Sequence, residues 1–513
     1  MMEDKLLFDG QPLTIEQVIA VAQGSKKVAL SPAPEFKQRI DKGCTFLATL
    51  LKDDGVIYGV TTGYGDSCTV TIPPQLVEEL PVHLTRFHGC GLGKVLDKES
   101  ALAVLCVRLQ SLCQGFSGVS WELLERLVLL INQQIIPVIP EEGSVGASGD
   151  LTPLSYVAAV LIGEREVYYK DERRSTASVY QELGIEPLKL RPKEGLAIMN
   201  GTAVMTALAC LAFRRADYLS QLSTRITAMS SIALVGNSSH FDEVLFSVKP
   251  HAGQQRVAER IRKDLNHVER PRNADRLQCR YSIRCAPHVI GVLEDALPFL
   301  RTTIENELNS ANDNPIIDGE GEHVLHGGHF YGGHIAFAMD SLKNCVANLS
   351  DLLDRQMALL MDTKFNNGLP SNLSGATAER AMINHGFKAV QIGISAWTAE
   401  ALKQTMPASV FSRSTECHNQ DKVSMGTIAA RDCLRVLELT EQVTAAALLA
   451  SNQAVELRLR QGRLEDFELS KHIVAMRADI ATFFEPLEED RPLEATLRHT
   501  IELIRQQHWA LYA

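Results

Sequence analysis

No apolar run in this chain is long enough to cross a bilayer: the longest, AVMTALACLAF, stops at Arg214–Arg215. The start of the chain carries acids where a secretory leader carries bases, so a cytoplasmic protein is expected. Nor is there an excess of positive charge. With 51 Lys and Arg against 62 Asp and Glu the net charge is −11, which argues against a phosphate-coating surface and so against nucleic acid as a partner. The eleven cysteines are an odd number and hold no C-x-x-C pair. Neither a zinc knuckle nor a disulfide framework is suggested, and reduced, mostly buried thiols are expected. Aromatic residues make up only 6%. No fixed-period repeat and no low-complexity segment interrupts the 513 residues, which exceed one ordinary domain.

Two regions differ in character. Residues 1–200 alternate short apolar runs with Gly and Pro punctuation, as in DGVIYGVTTGYGDS and IIPVIPEEGSVGASGD, and read as moderate helices joined by irregular loops. Residues 201–513 carry long stretches rich in Ala and Leu with apolar positions at helical spacing. These begin at TAVMTALACLAF, VIGVLEDALPFL, HIAFAMDSLKN and CLRVLELTEQV, and their only internal proline is Pro298. The expected fold is therefore mainly α, a long-helix bundle with a loop-rich, mostly helical N-terminal domain. Apolar helices of this length suggest that neighbouring subunits cover their outer faces.

The stretch SVGASGDLTP, residues 144–153, has almost no side-chain bulk. One reading is a glycine-rich turn before a helix that Asp150 caps and Pro153 opens. A nucleophile elbow does not fit, because G-x-S-x-G is not met. A third reading is chemical: in a tight enough bend the Gly149 amide nitrogen attacks the Ala147 carbonyl, whose oxygen leaves as water, and Ser148 loses its hydroxyl as a second water. Only glycine offers so unhindered an amide. The product is a methylidene-imidazolone ring, an electrophile built from Ala147, Ser148 and Gly149.

This segment resembles the histidine, phenylalanine and tyrosine ammonia-lyase and aminomutase family, and so do YGVTTGYG at 58–65, MNGT at 199–202, YSIRCAP at 281–287, ELNSANDNP at 307–315, LHGGHFYG at 325–332 and HNQDKVSMG at 418–426, in the family's order. The resemblance implies a nearly all-helical homotetramer, each active site built from three subunits, acting on a small aromatic amino acid with no metal or dissociable cofactor. The four histidines His323, His326, His329 and His334 match no H-E-x-x-H pattern. The covalent electrophile makes the substrate nitrogen a better leaving group.

Tyr58 resembles the family's catalytic tyrosine, and a phenol acting as base near neutral pH is expected to be depressed below its usual value of about 10. Gly59, Gly63 and Gly65 suit a loop that closes over substrate, Gly65 within reach of it. Arg284 matches the residue that clamps the substrate carboxylate, with Gln278, Tyr281, Asn200 and Asn314 lining the site. The resemblance places Asn200 and Tyr281 near the ring oxygen, supporting electron withdrawal. Phe330 packs over the ring, Asn419 and Gln420 form the family's NQ pair, and Glu416 matches a glutamate near the substrate amine in phenylalanine lyases. Phe87–His88 stands where phenylalanine lyases carry Phe-Leu, tyrosine lyases His-Leu and histidine lyases Ser-His. Histidine lyases also read NQEDH where this chain has NQDKVSMG, which looks like the phenylalanine and tyrosine forms. His88 suits a phenolic hydroxyl. The order of expectation is tyrosine, giving 4-hydroxycinnamate, then phenylalanine, then histidine, with an aromatic 2,3-aminomutase or an inactive helical scaffold as alternatives.

Overall fold

A computed structural model describes residues 5–53, 55–266, 276–465 and 468–512, so the acidic start of the chain lies outside them. The described residues fall into two compact units, one formed by Met1–Ala212, Arg301–Asp340 and Pro407–Arg431, the other by Phe213–Leu300, Ser341–Met406 and Asp432–Ala513.

The chain is mainly α-helical. The helices used below are α1 (Leu80–Phe87), α2 (Lys98–Leu112), α3 (Leu151–Leu161), α4 (Glu194–Met199), α5 (Ala203–Ala233), α6 (Ala286–Leu308), α7 (Gly333–Met361) and α8 (Gly426–Arg460). The last four coincide with the long Ala- and Leu-rich stretches, and Pro298 lies inside α6. Short strands occur only in the first unit among the described residues. β1 (Lys5–Phe8) pairs in parallel with β2 (Lys27–Leu30), placing Lys5 opposite Lys27 and Phe8 opposite Leu30. β3 (Leu92–Val95), β4 (Ile136–Pro137), β5 (Pro140–Glu142), β6 (Glu166–Tyr169), β7 (Glu172–Ser175), β8 (Ile316–Asp318) and β9 (His323–Leu325) form the antiparallel pairs β3–β5, β4–β6, β6–β7 and β8–β9. These are clips between helices rather than a layer.

Helix α2 shows why the first unit holds a rigid site. Asp97 caps it, accepting from the Ser100 N–H at 2.7 Å, and every residue from Ser100 to Leu112 is buried. A helix covered on all sides has no solvent face to carry charge, so its apolar positions need no amphipathic spacing. Leu47, Ile57, Val60, Val77 and Ile317 make a second cluster in the same unit. Ile57 and Val60 flank Tyr58 in sequence, and burying each such side chain is worth about 1.5–3 kcal/mol. The glycines read as a closing loop thus sit in a segment anchored by core residues.

One alternative reading and one expectation do not hold. Asp150 stands at the N-cap position of α3, yet its side chain caps nothing; its carboxylate is drawn into other bonds described below. The eleven cysteines are free thiols, but only Cys106, Cys113, Cys210 and Cys433 are buried. Cys68, Cys90 and Cys417 are exposed because they lie in short surface segments outside the helical core.

Candidate active site

Residues 148–150 run alongside Gly201, whose N–H donates to the Ser148 carbonyl at 3.1 Å while the Asp150 N–H donates to the Gly201 carbonyl at 2.7 Å. Gly149 has φ of +74°. A Cβ placed there would lie 2.7 Å from the Gly201 Cα and nearer still to its carbonyl, so no other residue fits. Asp150 locks the turn from below: its carboxylate accepts from Ser144 Oγ at 3.0 Å, from the Met205 N–H at 2.9 Å and from Thr427 Oγ1. Burial pushes its carboxyl up, and these bonds oppose the shift. The segment before α8 docks on the same turn, with the Ser424 and Met425 N–H groups donating to the Gly146 and Val145 carbonyls at 3.1 and 3.0 Å.

This turn opens onto a cavity of about 1120 Å³. Of the residues singled out in the sequence, Tyr58, Gly65, Phe87, His88, Ala147, Ser148, Asn200, Asn314, Phe330, Glu416, Asn419 and Gln420 all line it. Gln420 Nε2 lies 3.4 Å from Ser148 Oγ. Gly149 is buried and does not line it. Gln278, Tyr281 and Arg284 belong to the other unit and do not line the cavity. Tyr281 is 71% exposed, and Arg284 donates to the Cys279 carbonyl at 2.9 Å with its guanidinium 4.5 Å from the Tyr281 ring.

The Tyr58 hydroxyl accepts a 2.7 Å hydrogen bond from the Gly65 N–H. Its phenol is not depressed as expected. Burial pushes it above its ordinary range and the Glu416 carboxylate adds to the rise, while the Gly65 N–H opposes both. Glu416 reaches this place through a tight turn in which Glu416, Cys417 and His418 all have positive φ, between 49° and 65°. Its carboxylate accepts from the Asp66 N–H at 3.0 Å through both oxygens.

Asn200 ends α4 and is buried. Its Nδ2 donates to Asp313 Oδ1 at 3.2 Å and to the Asn314 carbonyl at 2.9 Å. Both partners can only accept, so the amide orientation follows from chemistry and the group left for the cavity is Oδ1, an acceptor. That departs from the expected support for an electron-withdrawing ring oxygen, which needs a donor. Beneath Asn200, Lys193 and Asp313 form a fully buried ion pair at 2.6 Å, and burial lowers the lysine ammonium against the pull of Asp313. Arg108 donates to the Asn200 carbonyl at 3.1 Å, and burial pushes its guanidinium down to about 10.

His88 caps the C-terminus of α1, where Nδ1 stands 3.1 Å from the Leu84 carbonyl. Burial lowers the imidazole, with Arg165 adding to the effect. A carbonyl cannot donate, so Nδ1 carries the proton and the neutral ring keeps Nε2 as an acceptor. The Phe87 ring lies 4.3 Å from that of His88, and Phe87 is 59% exposed.

Residues 13–480 match the model of the family described as "Aromatic amino acid lyase". The chain belongs to that family. A histidine ammonia-lyase of Gloeobacter violaceus is 36% identical over 512 residues, 99% of this chain and 97% of its own. The tyrosine aminomutase of Streptomyces globisporus superposes with a TM-score of 0.90 at 34% identity, covering 98% and 97% of the two chains. The histidine ammonia-lyase of Trypanosoma cruzi gives 0.89 at 32%, covering 98% and 94%. The protein is a carbon–nitrogen lyase.

The family's electrophile is a methylidene-imidazolone, and the lyase's own turn fits it: Gly149 is pinned where no Cβ is tolerated, with Ser148 at the cavity wall. When formed, the ring supplies an electrophilic carbon. Around it the cavity wall carries the Tyr58 hydroxyl, the Asn200 amide, the Glu416 carboxylate and the rings of His88 and Phe87. Sequence reasoning weighed His326 only as a metal ligand and missed Asp421 and Lys422 on the lyase's cavity wall, and the supporting Lys193, Asp313 and Arg108. Asp313 adjoins Asn314 in the NDNP segment and Lys193 precedes MNGT by six residues, but only the folded chain shows that the two meet.

Proposed function

We propose that this lyase eliminates ammonia from L-tyrosine to give 4-hydroxycinnamate. The observation that carries the reading is His88 on the wall of the Ser148 cavity with Nδ1 engaged by Leu84. An Nε2 acceptor pairs with a phenolic O–H, and phenylalanine leaves it unpaired, a difference of about 1–3 kcal/mol. The Tyr58 phenolate removes the β-proton, and Asn200 Oδ1 and Glu416 hold the amine. Gln278, Tyr281 and Arg284 reach this cavity from other copies in a homotetramer in the cytoplasm, with Arg284 holding the substrate carboxylate.

Histidine is the second reading. It is favoured by relatives named histidine ammonia-lyase and by Asp421, an acid directly after the NQ pair on the cavity wall, which suits an imidazole N–H. The test assays wild type and His88→Leu against tyrosine, phenylalanine and histidine side by side. Tyrosine should lead in kcat/KM, and His88→Leu should shift preference toward phenylalanine by roughly one to two powers of ten. Wild-type preference for histidine, abolished in Asp421→Asn, supports the second reading and sinks the first.

A further inference from the structure

Arg165 follows α3 with φ of +61°, a conformation disfavoured for a long side chain. Its carbonyl is held there by the Thr176 N–H at 2.8 Å and Thr176 Oγ1 at 3.0 Å. This aims the guanidinium into the segment that carries His88. Nη2 donates to the Thr85 carbonyl at 2.6 Å and Nη1 to Ser155 Oγ at 3.0 Å. The Ser155 hydroxyl is shared between the carbonyls of Thr152, at 2.7 Å, and His88, at 3.2 Å. The guanidinium stacks 4.2 Å from the Tyr156 ring, whose hydroxyl accepts from the Gly91 N–H at 3.2 Å. A Cβ at Gly89 would overlap Nη2, so the chain after His88 is fitted to this arginine.

All the bonds named for Arg165 go to neutral acceptors. Among the described residues it makes no ion pair, since the neighbouring Glu164 carboxylate is engaged by Arg86 at 2.6 Å. Its positive charge is therefore left to act on its surroundings.

We propose that Arg165 is a positioning residue for substrate selection, holding His88 as a neutral acceptor toward the substrate's para group. The inference rests on the reading of His88 given above. Beside Arg165, the Leu84 carbonyl bears directly on His88; the charged and titratable groups next to it in the chain or bonded nearby are Arg86 with its partner Glu164, Cys90, and Tyr156 under Arg165. Tyr58, His326, Glu416, Asp421 and Lys422 line the same cavity. A cation beside an imidazole disfavours the imidazolium, so removing the Arg165 charge lets His88 take up a proton at higher pH.

The probe is a pair of para-substituted substrates. L-Tyrosine is satisfied by either form of His88, because its hydroxyl both donates and accepts. 4-Amino-L-phenylalanine presents a donor and is satisfied only by the neutral ring. The ratio of their kcat/KM values cancels the ionisation of Tyr58 and of the substrate amine common to both, and falls as His88 is protonated. In wild type it should stay level from about pH 9 down past the ordinary imidazole value of about 6.5. In Arg165→Met it should drop roughly tenfold, with the midpoint above that of wild type, and Arg165→Lys should restore the wild-type profile. A wild-type ratio that already breaks at or above about 6.5, or an Arg165→Met profile identical to wild type, overturns the proposal. The first needs no variant that folds. If His88→Leu also leaves the preference for the para group unchanged, it is the reading of His88 that has failed.

Discussion

At the scale of single residues, the site works through which atom each side chain has left to offer. His88 gives Nδ1 to Leu84, four residues back, and keeps Nε2; Asn200 gives Nδ2 to Asp313 and Asn314 and keeps Oδ1. Residue types at motif positions were legible in the sequence, since a base, an amide pair and an aromatic wall are recognisable by kind. The atoms they leave free were not, because these depend on partners such as Asp313, 113 positions from Asn200. Tyr58 makes the same point through its phenol, which burial and Glu416 raise. If the phenolate is the base, kcat/KM climbs with pH as Tyr58 ionises. A nearby carboxylate disfavours the phenolate, so Glu416→Gln, which keeps an acceptor for the Asp66 N–H, should move that rise to lower pH whatever it does to the maximum. A midpoint that stays fixed or moves up removes Glu416 from the control of Tyr58. Tyr58→Phe should lower kcat by about two to four powers of ten with substrate binding retained.

At the scale of elements, the ring-forming turn is held by segments far apart in the chain. Gly201 after α4 bonds on both sides of Gly149, the segment before α8 docks on Val145 and Gly146, and Asp150 gathers Ser144, Met205 and Thr427. The long helices were legible because Ala- and Leu-rich spacing over some thirty residues admits few other structures. The two- to four-residue strands were not, since segments so short carry no periodicity. The alternative of Asp150 as a cap falls for a related reason: an aspartate before a helix is a cap by local rules, and here tertiary donors outcompete the local N–H groups. Gly149→Ala tests the turn. The added Cβ meets the Gly201 backbone and sits at φ of +74°. It should cost about 1–3 kcal/mol in stability and abolish both ring formation and activity. An active Gly149→Ala enzyme would show that the turn is looser than its bonds to Gly201 imply.

At the scale of the whole molecule, most of the residues singled out in the sequence line one cavity while Gln278, Tyr281 and Arg284 do not. Composition and helix length pointed to an oligomer without revealing which residues it would bring together. If other copies supply these three, an assembly refolded from a mixture of inactive Tyr58→Phe and Arg284→Ala chains should regain activity, because some sites receive both wild-type residues. Activity no higher than that of either variant alone would place the whole site in one chain. The central claim is that Ala147, Ser148 and Gly149 become the electrophile, and the intact mass of the purified protein tests it most directly. The account predicts a wild-type chain lighter than its encoded sequence by two water molecules, and a Ser148→Ala chain that, lacking the hydroxyl, forms no methylidene and has no turnover. A wild-type chain at its full encoded mass would contradict it.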